Sequence, residues 1–150
     1  MPDRLVVTAT VDVERTPAEV FAYLADVGKH PEWSPKPLRI EGVTAGPVKP
    51  GDTFTSYGVI PGDKNHRNDV TVAECTAPTR LVLDATEKGE HFVNTFEVTA
   101  RGTGSTLTRT LDMPKPGLPL ALLMPLIKSA FIQPDVTKGL RTLKGNLERS

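Results

Sequence analysis

The first part of the chain changes from a strand pattern to a helical pattern. Apolar and polar residues alternate from Leu5 to Glu14, which predicts a half-buried strand. Residues 16–19 read Thr-Pro-Ala-Glu, a capping box with proline at the first helical position. Apolar residues then recur at helical spacing as far as Gly28, where the helix is predicted to end. A second, very short helix or turn is predicted at residues 29–35.

The middle of the chain has the pattern of short strands joined by tight turns. The connections are rich in glycine, proline and aspartate, as in Pro61-Gly62-Asp63, and these residues favour turns. Sequential strands with such short connections predict an antiparallel meander. The predicted strands are Leu38–Thr44, Thr53–Ile60, His66–Thr76, Leu81–Thr86, Phe92–Ala100 and Ser105–Met113.

The last part of the chain is predicted to be helical. Val136, Leu140, Leu143 and Leu147 recur at spacings of four, three and four, which is typical of the buried face of a long helix. The stretch Leu118–Pro134 before it is apolar on too many sides for a simple surface helix. Our first interpretation is that this stretch begins the helix and forms a pocket wall. A lid is the second interpretation and a membrane contact the third.

This order of elements predicts one α+β domain over residues 1–150. A seven-stranded antiparallel sheet would curve around the long C-terminal helix, with two short helices between strands 1 and 2. Because a broad concave sheet is not filled by one narrow helix, we expect a partly apolar pocket between them.

Composition narrows the class of protein. The 150 residues include 18 Lys or Arg and 18 Asp or Glu, and this zero balance argues against a dedicated nucleic-acid binder. No apolar run reaches the length of about 20 residues that a spanning helix needs. The single cysteine, Cys75, cannot form an internal disulfide, which is typical of a reducing compartment. We therefore expect a cytoplasmic protein without a targeting segment.

The sequence lacks the usual motifs for metals, cofactors and nucleophiles. His30, His66 and His91 fall in separate predicted elements, and none is at ligand spacing from another or from Cys75. Neither a nucleophile elbow nor a phosphate-binding loop occurs in the sequence. Cys75 is interpreted as a buried, inert thiol. We predict no metal site and no cofactor.

Strand alternation indicates which polar side chains share a face with apolar ones. Asn94 shares a face with Phe96, and Arg109 shares one with Leu111. A buried arginine needs a carboxylate or a ligand oxygen, and the alternative is that Arg109 is solvated at the sheet rim. Trp33 is interpreted first as a packing residue and second as a ligand contact. The pocket candidates are Trp33, Tyr57, His66, Asn94, Phe96, Arg109, Leu111, Leu122, Leu126 and Phe131.

Five short segments, in this order along the chain, resemble a known superfamily. They are Val11–Phe21, Val27–Pro35, Pro50–Phe54, Ala77–Leu81 and Gly104–Thr108. Together they resemble the START-type helix-grip superfamily, which includes the birch-pollen allergen and the polyketide cyclases. Within it, the chain looks most like the small bacterial polyketide cyclase/dehydrase and lipid transport family. The resemblance implies the helix-grip fold and a hydrophobic-ligand pocket, but no particular reaction.

Three functional hypotheses follow. The first is an intracellular binding or carrier protein for a lipid, isoprenoid or polyketide, because no catalytic constellation is evident. The alternative is a polyketide cyclase or aromatase that acts through cavity shape and one or two polar donors, drawn from Tyr57, His66, Asn94 and Arg109. The third is an interaction protein that uses the stretch Leu118–Pro134. The expected partner is a hydrophobic small molecule and not a nucleic acid. Peripheral membrane contact, and the choice between monomer and homodimer, stay open.

Overall fold

A single antiparallel sheet forms the framework of the protein. The computed structural model describes residues 4–117 and 120–150. Within them, seven strands lie in the order β1-β7-β6-β5-β4-β3-β2, so the N-terminal strand pairs with the last strand of the meander. The strands are β1 (Arg4–Val13), β2 (Arg39–Glu41), β3 (Thr53–Ile60), β4 (Asp63–Thr76), β5 (Arg80–Glu87), β6 (Glu90–Arg101) and β7 (Gly104–Pro114).

The first helix begins at the capping box that the sequence predicts. The Thr16 hydroxyl accepts from the Glu19 N–H at 3.2 Å, and the Glu19 carboxylate accepts from the Thr16 N–H at 3.1 Å. This capping box starts the first helix, because it satisfies two backbone donors that have no partner within the helix. The helical elements are α1 (Pro17–Ala25), a 3-10 helix (Val27–Glu32), α2 (Leu120–Ile127), a π-helical turn (Lys128–Ile132) and α3 (Gln133–Arg149).

Two strands differ from their predicted extent by three residues at one end, and the others differ by at most two. β2 ends at Glu41 because the chain turns at Gly42, where φ is 83°. β4 begins at Asp63 and not at His66, because Pro61 and Gly62 alone connect it to β3. Gly62 takes a positive φ of 84° after Pro61, which is the proline-glycine pattern of a type II turn. The earlier start makes Asp63 part of the strand that carries His66.

The long C-terminal helix packs against β1 through the face that its spacing predicts. Gly139 brings α3 close to the segment after the 3-10 helix. A Cβ atom at this position would lie 3.3 Å from Pro35 Cδ and 3.4 Å from the Trp33 carbonyl oxygen. The close approach holds Trp33 between α3 and the sheet. The buried residues of the seam are Val136, Leu140, Leu143 and Leu147.

The predicted architecture is confirmed. The sheet is antiparallel, two short helices separate its first two strands in the chain, and a long helical segment ends the chain. Across residues 4–117 and 120–150, no helix combines the length and apolar character needed to cross a membrane.

Candidate functional site

A cavity of about 1010 Å³ lies between the sheet and the C-terminal helical segment. One wall is the inner face of strands β3 to β7, and the opposite wall is contributed by side chains between Ile127 and Val136. The volume is at the upper end of the range of about 300–1,000 Å³ that small-molecule sites occupy. Most of the lining is apolar and includes Phe54, Val70, Leu83, Phe92, Leu111 and Ile132.

The register of β6 and β7 brings two polar cavity residues together. Arg109 lies opposite Phe96, and Asn94 lies opposite Leu111, so Arg109 and Asn94 are diagonal neighbours on one face. Arg109 donates from Nε and Nη2 to Asn94 Oδ1, at 2.9 and 2.7 Å. Its guanidinium carbon lies 5.4 Å from the Phe96 ring centroid and 5.8 Å from that of Trp33. These contacts fix the guanidinium within cation–π range of two aromatic rings.

The charge of Arg109 has no anionic partner in the described part of the chain. No Asp or Glu oxygen of residues 4–117 or 120–150 lies within 4.0 Å of its nitrogens. Burial lowers the pKa of Arg109 to about 10, so the side chain stays protonated at neutral pH. A charge removed from water is unfavourable unless it is paired and hydrogen-bonded. Arg109 is therefore a cation in the cavity wall that these residues leave uncompensated.

His30 lies at the same end of the cavity. Its ring centroid is 4.8 Å from that of Trp33 and 6.1 Å from that of Phe96. Its Nε2 lies 2.7 Å from the Leu24 carbonyl oxygen, which can only accept, so Nε2 carries the proton. Burial, aided by the positive charge of Arg109, lowers the pKa of His30 to about 4. The ring is neutral at pH 7 and Nδ1 is an acceptor. We call His30, Asn94 and Arg109 the inner group.

A second polar group lies near the β3–β4 and β5–β6 hairpins. His66 Nε2 is 2.8 Å from Glu87 Oε2, and Nδ1 is 3.3 Å from Asp63 Oδ2. Burial lowers the pKa of His66, but its hydrogen bonds to Glu87 and Asp63 outweigh burial, and the net pKa is raised. A protonated His66 is thus paired on both ring nitrogens. We call Asp63, His66 and Glu87 the outer group; His66 and Glu87 line the cavity.

Most of the predicted pocket residues have side chains in the cavity wall. Trp33, only 3% exposed, both packs in the core and lines the cavity. Its buried indole N–H has no acceptor among the described residues. Contact with a ligand stays a prediction for all of them. The predicted residues that line the cavity are Trp33, His66, Asn94, Phe96, Arg109, Leu111 and Phe131.

Tyr57 lies outside the cavity, contrary to expectation. It is three residues from Phe54, whose side chain is buried and lines the cavity, and an odd offset along a strand points to the opposite face. On that face the Arg39 guanidinium carbon lies 4.0 Å from the Tyr57 ring centroid. Tyr57 therefore packs in a surface cation–π pair.

Leu122 and Leu126 also lie outside the cavity. They are 75% and 66% exposed. Consecutive helical residues are separated by about 100° around the axis, so Ile127 lines the cavity while Leu126 does not. The described part of the stretch is helical, as our first interpretation expected, but Leu118 and Pro119 lie outside the described residues. The large apolar side chains that it exposes are Leu120, Leu122, Leu123, Leu126 and Phe131.

Among the polar cavity residues that were not pocket candidates, His30 belongs to the inner group and Glu87 to the outer group. His30 is buried at the inner end, and its spacing of three from Trp33 in a short helix was the signal available. Glu87 was assigned to a turn, but it ends β5 and contacts His66. Strand alternation could have indicated Glu87 only if β5 had been extended by one residue.

The smaller cavity and Cys75 have fewer features of a functional site than the large cavity. A smaller cavity of about 410 Å³ lies beside the β2–β3 connection, where Asp52 accepts the Lys49 N–H at 2.8 Å. That hydrogen bond stabilises the turn, which accounts for the presence of the Asp52 carboxylate without a ligand. Burial raises the pKa of the Cys75 thiol, which favours its unreactive form. In the described ranges, no group of three His, Cys, Asp or Glu side chains, the outer group included, is arranged to hold a metal ion.

The chain matches a known protein family over most of its length. The family described as "Polyketide cyclase / dehydrase and lipid transport" matches residues 4–148. No curated protein matches the chain in sequence.

Solved structures agree with the family match at the level of the fold. TTHA0849 from Thermus thermophilus is 17% identical, with 97% of this chain and 98% of that chain covered and a TM-score of 0.72. Ara h 8.0201 is 14% identical, covered at 98% and 99%, with a TM-score of 0.64. DynU16, from the dynemicin biosynthetic locus, is 19% identical, covered at 95% and 47%, with a TM-score of 0.62. Likeness at these identities establishes the fold alone.

Proposed function

Since the chain belongs to the polyketide cyclase/dehydrase and lipid transport family, a group whose fold supports hydrophobic-ligand binding, we propose that it is a carrier for an apolar small molecule. The observation that carries this proposal is the cavity of about 1010 Å³ with its largely apolar wall. Transfer of a ligand from water into such a site contributes about 0.8 kcal/mol for each methylene buried. Lipids, isoprenoids and polyketides are all chemically suited to it.

The surface beside the cavity supports a carrier. Phe131 lines the cavity and is also 67% exposed, so its ring belongs to both the cavity wall and the protein surface. The exposed leucines of α2 lie in the same helical segment. An apolar surface next to an apolar cavity would shield a water-insoluble ligand as it enters.

A cyclase or aromatase is the second candidate, favoured by one juxtaposition. The Arg109 guanidinium could stabilise the enolate oxygen of a poly-β-ketone, and the unprotonated Nδ1 of His30 lies at the same end of the cavity. The pKa of about 4 makes His30 a weak base at neutral pH, which is why binding ranks first. Cyclised product that forms with the wild type and not with His30→Gln would reverse this ranking.

A cavity-filling substitution tests the carrier proposal. Ala85 lines the cavity, whereas Ala100 is exposed on β6 outside it. We expect Ala85→Trp to weaken the binding of an environment-sensitive apolar dye about tenfold or more, and Ala100→Trp to leave it within about twofold. Fluorescence titration measures both. If the wild type does not bind the dye, or if both variants bind it as the wild type does, the proposal is wrong.

A further inference from the structure

The inner group narrows the class of ligand. We propose that Arg109, positioned by Asn94, binds the carboxylate of an apolar acid whose hydrocarbon body fills the rest of the cavity. This inference rests on the proposed function, because it requires that the cavity takes a ligand. It adds that the ligand is an anion and places its charged end against the inner face of β6 and β7.

The hydrogen-bond inventory supports an oxygen ligand at this position. A guanidinium has five N–H groups, and two of those on Arg109 go to Asn94 Oδ1, so three remain. The Asn94 amide nitrogen has no acceptor among the described residues. Arg109 and Asn94 both line the cavity. A planar carboxylate suits such a cluster of donors because it can accept bonds from both of its oxygens.

The charge distribution favours an anion over a neutral carbonyl group. Two acidic side chains of the protein line the cavity, Glu87 and Asp135. Each already has a cationic partner: Glu87 pairs with His66, and Asp135 pairs with Lys36. Arg109 is left as the cavity-lining cation for which the described residues supply no carboxylate. A ligand carboxylate would supply that charge in a place where water screens it little.

The surroundings of Arg109 limit the ligand to one charged end. The rings of Trp33 and Phe96 flank the guanidinium, and the wall beyond it is formed by residues such as Leu83 and Leu111. A second carboxylate near the first would lie against these apolar side chains, and the other cations of the cavity wall, Lys36 and His66, already have acidic partners. The chemistry that fits is a monocarboxylate with a long or polycyclic hydrocarbon body.

A matched pair of ligands tests the assignment. Dodecanoic acid and dodecanol have the same chain and differ in the charged end group. In calorimetric titrations at about pH 7.5, we expect the wild type to bind the acid about tenfold or more tightly than the alcohol, in line with a charge-assisted hydrogen bond. Arg109→Gln should lose this preference and keep its affinity for the alcohol. Arg141→Gln, which removes an exposed arginine of α3, should behave as the wild type.

The pKa of His30 provides a second readout, in which the alcohol controls for any change of burial. The positive charge of Arg109 helps to lower this pKa, so a carboxylate bound to Arg109 should raise it. An NMR titration of the His30 ring should therefore show a higher pKa with the acid than with the alcohol. If Arg109→Gln does not fold, this measurement on the wild type still tests the proposal.

The outcomes separate the two proposals. Equal affinity of the wild type for acid and alcohol, with no change of the His30 pKa, would overturn the carboxylate site and leave the carrier function standing. Failure to bind either ligand or the apolar dye would overturn the carrier function itself. Acid preference that survives in Arg109→Gln would place the carboxylate elsewhere and contradict the assignment.

Discussion

The inner and outer groups use the same residue type in opposite electrostatic settings. His30 is buried among aromatic rings beside a cation, and its pKa is lowered to about 4. His66 is held between two carboxylates, and its pKa is raised. Asn94 lies opposite Leu83, four residues from Glu87 along β5, which places the two groups about 13 Å apart along the strands.

The difference between the groups is one of charge balance. The outer group is complete, because His66 has an acidic partner on each ring nitrogen. The inner group has a cation, an amide and a neutral imidazole, and no acidic group within salt-bridge distance of Arg109 in the described residues. Polar residues in a cavity wall therefore do not by themselves indicate a ligand. The informative feature is a buried charge for which the fold provides no partner.

The largest expected effect is the loss of stability at low pH that is caused by His30. The folded-state pKa of His30 lies below its ordinary value of about 6.5, so the unfolded chain binds the proton more tightly. Stability is then fully present above pH 6.5 and falls by on the order of 3 kcal/mol as the pH is lowered to about 4. Urea unfolding at several pH values measures this loss. His30→Gln should have a flatter profile across the same window, and an unchanged slope would contradict the assignment.

The second prediction concerns a substitution that gives Arg109 an acidic partner, as His66 has in the outer group. Asn94→Asp would place a carboxylate within hydrogen-bond distance of Arg109 with almost no change of shape. The pair would be complete without a ligand, so the affinity for dodecanoic acid should fall about 30-fold, or about 2 kcal/mol. Calorimetry measures the affinity.

Asn68→Asp is the matched control for this substitution. Asn68 lines the cavity but makes no hydrogen bond to Arg109. The Asn68→Asp substitution adds the same charge to the cavity. It should change the affinity for dodecanoic acid by no more than about threefold. Equal losses in the two variants would show that acid binding depends on the net charge of the cavity and not on Arg109.

The outer group should contribute less to the free energy of unfolding than His30 does, and its contribution should have the opposite pH dependence. The pKa of His66 is raised in the folded state, so its contribution is fully present below about pH 6.5 and is lost as the pH rises through the folded-state value. His66→Gln should cost less than about 1 kcal/mol at pH 5.5 and close to nothing at pH 9. Urea unfolding at the two pH values is sufficient. A larger cost at the higher pH would contradict the ion-pair assignment.

The smallest effect is expected at α2, which contributes to neither group. Leu122 is 75% exposed, so Leu122→Ser should change the free energy of unfolding by less than about 0.5 kcal/mol. Leu140→Ala in α3, where the side chain is buried, should cost about 2–5 kcal/mol. Thermal unfolding compares the two variants. A large loss in Leu122→Ser would mean that the exposed face of α2 is buried in solution, for example against another copy.

Strand alternation predicted much of the site, because it depends only on the local backbone. It placed Asn94 with Phe96 on one face of their strand and Arg109 with Leu111 on one face of the next strand, and the structure has all four in the cavity wall. The same rule, applied from Phe54, excludes Tyr57. A bulge between Gly58 and Ile60 changes the alternation there and brings Val59 and Ile60 to the cavity. The residues before a bulge do not reveal its position.

What the sequence did not indicate depends on contacts between distant residues. Glu87 meets His66 because two hairpins lie side by side, and no local pattern joins positions 66 and 87. His30 lies in a 3-10 helix, where strand alternation does not apply. Leu122 and Leu126 were expected in the pocket because the segment is apolar on most sides, and such a segment does not reveal which side faces the sheet.

The most direct measurement is a crystal structure of the protein with 12-bromododecanoic acid, whose bromine atom marks the end of the chain. The predicted result places a carboxylate oxygen within about 3.5 Å of the Arg109 guanidinium and the bromine among the apolar residues of the cavity. A carboxylate at the surface, or one that pairs with Lys36 while Arg109 keeps only its contact with Asn94, would contradict the assignment of the inner group.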